Sequence, residues 1–281
     1  MGIVVGIDIG GSTTKIAGFQ GKDMLIPVQI SANNAIASLF GAFGKFLYDN
    51  KLALEDIQQV NLTGVGCSAV DQAIYGLPTY RVDEFTANGI GGGYFAQGKK
   101  EFMVVSMGTG TSFVGVKDGI PTHLGGIGIG GGTIIGLSKL MLNTSDIDKI
   151  QELALGGQIG HIDLRVGDIS EKPLPGLNLE VTASNFGKAS SRATCEDKAA
   201  GIVHMVIESI CQTAALISQG TNMKDFILIG ALTNFPECEA VCGMIKTLFP
   251  DLNFYVPKDG EYGTAIGTAL AAKCCLKHIA G

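Results

Sequence analysis

Two short glycine-rich stretches hold the residues whose types and spacing could handle phosphate. The first is Asp8-Ile9-Gly10-Gly11-Ser12-Thr13-Thr14-Lys15, between the apolar run at residues 1–7 and another from Ile16 to Phe19. Strand, small-residue turn, strand describes a hairpin that can wrap a phosphate, and its acid could hold Mg²⁺, usually through water. The second is Gly108-Thr109-Gly110-Thr111-Ser112, where the β-branched run from Phe102 empties into residues small enough to leave backbone N–H groups facing a ligand. Six more glycines follow, at 125, 126, 128, 130, 131 and 132, ahead of a predicted helix over Thr133–Met141. An element-interior glycine costs roughly 0.5–1 kcal/mol against Ala. Close approach of backbone to a phosphate or to another segment explains such density; so would a set of tight turns. Neither hairpin is specific alone. The duplicated pair, with Lys15 behind the first, is specific: two such hairpins can grip phosphates between them. A third group, Asp83-Glu84, places adjacent carboxylates where a short strand from Tyr80 meets a helix. Glu84 could accept a proton from an attacking hydroxyl, or simply favour a helix start through the dipole.

The elements that must position these groups are legible in outline. The spacing of Ile36, Leu39, Phe40, Phe43, Phe46 and Leu47 predicts a helix over 33–51 with Asn50 as its stop. Gln59 to Gly66 reads as a strand ending in a glycine turn, feeding a helix from Ser68 to Tyr75. A helix beginning between Asp83 and Thr86 is expected to be interrupted by Gly91-Gly92-Gly93. Ser112–Val116 is a second short strand that turns at Asp118-Gly119. Later come a helix over Ile147–Leu155, a short strand from Leu164, a rigid loop at Pro173–Gly176, a glycine-punctuated turn at Thr182–Gly187 and a long apolar helix from Glu196 to Gly220. Phe226–Ile229 is a buried strand ending at Gly230, where α/β folds put ligands, so Gly230 should lie near adenine or ribose. A helix over Ala240–Phe249, a strand over Asn253–Val256 and a closing helix from Tyr262 complete an α/β protein of two similar lobes. Gln97–Lys100 is the linker candidate, which divides the chain into an N-terminal lobe, 1–98, and a C-terminal lobe, 99–281, carrying the substrate loop and a dimer helix.

Bulk composition narrows the partners. The chain has 281 residues, 41 of them Gly, and a net charge of −6 with no basic run, which argues against nucleic acid. Charged residues are 16%, well below the usual ~25%, so part of the surface is expected to be hidden in a dimer. Seven cysteines show no metal-ligand spacing beyond the i, i+4 pair Cys238 and Cys242. Their odd number and the lack of a signal-peptide pattern point to a reducing cytoplasm. The longest uncharged stretch, Gly119–Ser138, is broken by eight glycines and a proline and is no membrane span.

In order, Gly6–Lys15, Glu84-Phe85-Thr86-Ala87, Gly108–Ser112, Gly125–Gly132 followed by Leu137, Thr182–Gly187 and the Ile229-Gly230 turn resemble the type II pantothenate kinases, over nearly the whole chain. That resemblance implies an actin-like ATPase (ribonuclease H-like) fold with a nucleotide cleft between the lobes. It also implies a homodimer, and transfer of the ATP γ-phosphoryl group to the primary hydroxyl of pantothenate, the first step of coenzyme A synthesis. Asp8, Gly10, Gly11, Ser12, Thr13, Lys15, Gly108, Thr109, Gly110, Thr111, Gly130, Gly131, Gly132 and Gly230 would then serve ATP, with Asp8 organising Mg²⁺ and Glu84 as general base. Thr109, Ser112, His123, Gly125 and Gly126 would meet the small-molecule acceptor, and CoA or acyl-CoA is a candidate feedback ligand. One departure stands out. Where the family commonly carries Arg before the substrate loop, this chain has Thr122-His123, exchanging a permanent charge for a conditional one.

Three other readings compete. ATPases that activate acyl-CoA dehydratases share an Asp-x-Gly-Ser-Thr-Thr-Lys opening, but hold an iron–sulfur cluster with cysteines this chain does not pair beside a glycine loop. A kinase of a related alcohol fits the same residues. A non-catalytic CoA-thioester sensor would not need Asp8, Lys15 and Glu84 intact.

Overall fold

The computed structural model describes residues 2–31, 34–170, 172 and 178–279. The start of the first helix at Asn33 and the Pro173–Gly176 loop lie outside the described residues. Strand β1 (Ile3–Ile9) is buried on both faces and pairs antiparallel with β2 (Thr13–Gln20), so the first glycine stretch is a hairpin turn. Outside β2 lie β3 (Asp23–Met24) and β4 (Val28–Ser31), and beyond β1 come β5 (Ile57–Thr63) and β6 (Thr79–Arg81), both parallel to it. Helix α1 (Ala35–Asp49), capped by Asn34 and stopped at Asn50, lays Phe43 and Phe46 against this sheet. Phe46 comes so close under β2 that a Cβ at Gly18 would meet its ring at 2.5 Å.

The second sheet repeats the plan. β7 (Glu101–Met107), β8 (Thr111–Lys117) and β9 (Ile120–Ile127) form an antiparallel meander, and β12 (Asp225–Ile229) and β13 (Asn253–Tyr255) continue parallel to β7. In both sheets the first strand lies between its antiparallel hairpin partner and a parallel strand that comes later in the chain (β2–β1–β5 and β8–β7–β12), and both first hairpins turn on glycines. Behind the second sheet pack α3 (Gly131–Leu142), α4 (Ile147–Gly156), α6 (Cys195–Thr221) and α7 (Glu237–Leu248). Helix α6 is long and apolar enough to cross a membrane by length and composition, yet 67% of its most apolar window is buried inside the fold. A small ladder of β10 (Leu164–Arg165) and β11 (Thr182–Ser184), with the one-turn helix α5 (Val166–Ile169) between them in sequence, lies to one side.

Several expectations are overturned here. Helix α2 (Glu84–Phe95) runs unbroken through Gly91-Gly92-Gly93. Gly91 serves its crossing with α8 (Gly263–Leu270), since a Cβ there would sit 1.9 Å from the Gly263 carbonyl oxygen and one at Gly267 1.8 Å from that of Ala87, while Gly92 lies where a Cβ would meet Val104 of β7 at 2.2 Å. Residues 65–76 form two 3₁₀ turns, Val65–Ala69 and Ile74–Gly76, and no α-helix. A cut at residue 98 also fails as a packing boundary. Helix α2 lies against β7, β8, β9 and β12 of the second sheet, whereas α8 covers β1, β2 and β5 of the first. The last strand, β14 (Lys277–His278), pairs with β6, and Ile279 joins the first core. The two ends of the chain therefore exchange helices across the middle. Cys238 and Cys242, the i, i+4 pair, face inward from α7. With Cys211, whose sulfur is 3.9 Å from that of Cys242, they fill the core, and neighbouring sulfurs and burial push both thiols up so that they stay protonated.

Candidate active site

A cleft of about 1110 Å³ opens between the sheets. Its floor is the pair of glycine turns, which meet tip to tip: Ser12 Oγ lies 3.5 Å from Thr109 Oγ1. The backbone N–H groups of Gly11, Ser12, Thr109 and Gly110 have no partner among the described residues, so both turns present free donors. The second turn is braced from behind. Gly108 N–H donates to the Gly110 carbonyl (2.9 Å), and Gly131 and Gly132 of α3 donate to the carbonyls of Gly108 (2.8 Å) and Thr109 (2.9 Å). Gly131 and Gly132 reach the cleft wall, but their amides hold the turn. Gly130 does not line the cleft. It is buried, and a Cβ there would meet the Thr109 carbonyl oxygen at 2.7 Å. Thr111 is likewise spent internally, donating to Ile129 O at 2.8 Å.

Asp8 and Lys15 are cross-strand partners on β1 and β2, and both face the cleft. Lys15 is only 5% exposed and makes no salt bridge or hydrogen bond among the described residues. Burial holds its amine below the ordinary range, and Asp8 and Glu261 counter this only in part. Burial likewise lifts the Asp8 carboxyl above its ordinary value, against the pull of Lys15. Each charge is short of compensation, the condition in which an arriving phosphate or cation gains most. Gly64, at the end of β5 with φ +86°, lies where a Cβ would meet Asp8 Oδ1 at 2.5 Å, so only glycine leaves that carboxylate its place.

Glu84 is the first residue of α2, after the N-cap Asp83, whose side chain accepts from Thr86 N–H. It too lines the cleft. Burial, then the nearby Asp8 and Asp83, raises its carboxyl, toward the range useful to a general base. Next to it, Phe85 stacks face to face on His123, with centroids 3.7 Å apart and rings 14° from parallel. His123 stands on the edge strand β9, not on a loop, because β9 extends through Gly126. A bulge opposite Phe113 and Val114 re-aims the strand there, and Gly125 takes φ +141° off the cleft wall. Ser112 lies opposite Gly126 and faces the same end. Gly230, with φ +98°, closes the other end beside Leu232, Asn234 and Phe235.

Sequence reasoning missed several wall residues. Phe85 follows a flagged acid but carries no chemical signal of its own. Gln29 and Ser31 reach the cleft through β4, and Asp146, Asp148 and Gln151 through α4; no spacing in the chain marks any of these. Four carboxylates (Asp8, Glu84, Asp146, Asp148) line the cleft against Lys15 and the conditional charge of His123. A polyanion entering such a cleft needs a cation with it. Asp8, partly buried and with no side-chain hydrogen-bond partner among the described residues, has the chemistry to hold Mg²⁺ through one carboxylate and water.

Residues 80–242 match the family model described as Fumble. A protein named type II pantothenate kinase from Bacillus cereus is 30% identical, across 95% of this chain and 98% of its own. Its namesake from Bacillus anthracis is 30% identical across 95% and 97%. Among solved structures, the activator of the 2-hydroxyisocaproyl-CoA dehydratase from Clostridium difficile with bound ADPNP superposes with TM-score 0.69 at 17% identity, across 95% of this chain and 93% of that one. A ROK family glucokinase from Streptomyces griseus in complex with glucose and AMPPNP gives 0.57 at 13% identity, across 95% and 98%. The fold is that of the actin-like ATPases.

Proposed function

We propose, for a chain that belongs to the Fumble family of type II pantothenate kinases and is thus an ATP-using phosphotransferase, that its acceptor is pantothenate and its product 4'-phosphopantothenate. The observation that carries this is the convergence of Lys15, Asp8 and Glu84 on one cleft floored by two facing glycine turns. In this reading the free amides of Gly11, Ser12, Thr109 and Gly110, with the Lys15 amine, hold the phosphates of ATP. The ribose and adenine lie toward Gly230. The acceptor sits at the end formed by Glu84, Phe85, Ser112 and His123. Its primary hydroxyl oxygen attacks the γ-phosphorus as the bond to the β–γ bridging oxygen breaks; the hydroxyl proton passes to the Glu84 carboxylate and ADP leaves. Asp8 would hold Mg²⁺, which when bound neutralises phosphate charge.

The same reading includes a homodimer, supported by the low charge content and by exposed Leu140, Leu155 and Leu216, and a cytoplasmic setting, supported by seven free cysteines. Feedback by CoA or acyl-CoA belongs to it as well. The dehydratase activator shares the fold, while the curated relatives are named as kinases, which favours alcohol phosphorylation. A coupled ADP-release assay with pantothenate, pantetheine and related alcohols tests the proposal. Pantothenate-dependent ADP release that yields a phosphate monoester is the expected result. ATP turnover indifferent to every alcohol would refute it.

A further inference from the structure

Asn88, in the middle of α2, is fully buried, and both ends of its amide are engaged. Its carbonyl accepts from Thr264 Oγ1 at 2.8 Å and its NH₂ donates to Ser112 Oγ at 3.4 Å. On α8, Thr268 Oγ1 donates to the Thr264 carbonyl (2.7 Å), and the Thr268 carbonyl accepts from Asn61 Nδ2 on β5 (2.9 Å). A buried polar chain thus runs from the first sheet, through the glycine crossing of α8 and α2, to a hydroxyl on the cleft wall.

Nothing in the packing asks for a polar group at this point, since small apolar residues serve a close helix crossing as well. A buried amide left unpaired costs about 1–3 kcal/mol, so its partners carry the reason for it. What Asn88 supplies is direction. A serine oxygen has one hydrogen to donate and two lone pairs to accept with. With the Asn88 N–H on one lone pair, the Ser112 hydrogen is left to point elsewhere, and the open side of Ser112 is the cleft. At 3.4 Å the bond is long, as such bonds often are before a substrate tightens the site.

We infer that Asn88 is a positioning residue that fixes Ser112 as a hydrogen-bond donor toward a carbonyl or carboxylate oxygen of the phosphoryl-accepting alcohol. This rests on the kinase reading of the cleft, though not on the identity of the alcohol. Asn88→Asp keeps the shape and the bond from Thr264, but replaces the donor by an acceptor. Ser112 must then donate inward and offers the substrate only a lone pair.

The test measures KM for the acceptor and for ATP in wild type, Asn88→Asp, Ser112→Ala and the double variant, across the alcohol panel. Asn88→Asp should raise acceptor KM by about 3–10-fold, the range for one lost hydrogen bond, and leave ATP KM in place. In the Ser112→Ala background it should add nothing, because it acts through Ser112. A purely structural role would move both KM values and multiply with Ser112→Ala, and that result overturns the inference. If the buried carboxylate prevents folding, Asn88→Ala, which leaves room for water, replaces it under the same criteria. A wild type that uses another alcohol and shows the split keeps this inference while refuting pantothenate as acceptor. A wild type that uses pantothenate without the split refutes this inference alone. No turnover with any alcohol refutes both.

Discussion

Replacing Lys15 by Met separates what this residue does for the fold from what it does for the nucleotide. Lys15 is 5% exposed, without an ion-pair or hydrogen-bond partner among the described residues, and burial depresses its amine despite Asp8 and Glu261. Met is similar in length and apolar. Replacing both members of a buried ion pair by packed apolar groups is often neutral or stabilising by about 1–4 kcal/mol; here only one charge is removed, and it has no salt bridge among the described residues to break. Part of that gain is returned because Asp8 loses its neighbouring cation, so about 1–2 kcal/mol is expected. For a chain of this size that raises Tm by roughly 2–6 °C without nucleotide. Wild type should then gain about 2.7 kcal/mol from ATP at a hundred times its Kd, and the variant little. The order of melting is therefore expected to invert: variant above wild type alone, below it with saturating Mg·ATP. ADP release should fall by at least ~10²-fold, as when one aligned electrostatic donor is removed. There is also a pH signature. The folded protein binds the Lys15 proton less tightly than the unfolded chain, so wild-type stability grows as pH rises from the depressed folded value toward the ordinary 10.5. The variant lacks that rise. Scanning calorimetry with and without Mg·ATP reads all of this. A nucleotide-free variant that melts several degrees below wild type would show that Lys15 stabilises the fold as half of an ion pair, and would refute the reasoning.

Glu84→Gln should retain ATP binding by calorimetry and lose at least ~10²-fold in kcat. In wild type the raised Glu84 carboxyl should make kcat/KM fall on acidification sooner than for an ordinary carboxylate, because the base must be ionised to act. The same raised value favours the folded state at low pH. That advantage is lost as pH climbs from the ordinary 4.5 through the folded value, and Glu84→Gln should abolish this part of the stability profile. Gly91→Ala places a Cβ 1.9 Å from the Gly263 carbonyl oxygen and must part α2 from α8, so a thermal melt should show a loss of about 1–3 kcal/mol or more. Gly136→Ala, in α3 with nothing within 4 Å of the added carbon, should instead gain roughly 0.5–1 kcal/mol. His123→Arg should lower KM for pantothenate and leave uncharged pantetheine unaffected; equal effects on both would mean that His123 meets no carboxylate.

The chemistry of the phosphate turns was legible in the sequence because it is local. Asp8–Lys15 and Gly108–Ser112 each fit within one hairpin, where a strand–turn–strand pattern fixes which groups stand together. The buried strands from Ile3 and Phe102, the helix start near Glu84 and the alternation that yields two matching sheets were readable for the same reason: periodicity and helix-end preferences act over a few residues. What lay beyond the chain's own text was set by contacts between distant segments. Gly91–Gly93 looks like a helix break, since glycine costs about 1 kcal/mol in a helix. Only the tertiary packing excludes other side chains there: α8, arriving from residues 263–270, at Gly91, and Val104 of β7 at Gly92. The return of residues 263–279 to the first sheet has no local signal either, because pairing β14 with β6 spans nearly 200 positions. His123 gained its stacking partner Phe85, and Ser112 its partner Asn88, from the docking of α2 on the second sheet. A sequence specifies side chains one at a time; which of them share a wall is decided when the two sheets and their exchanged helices bury one another's surfaces.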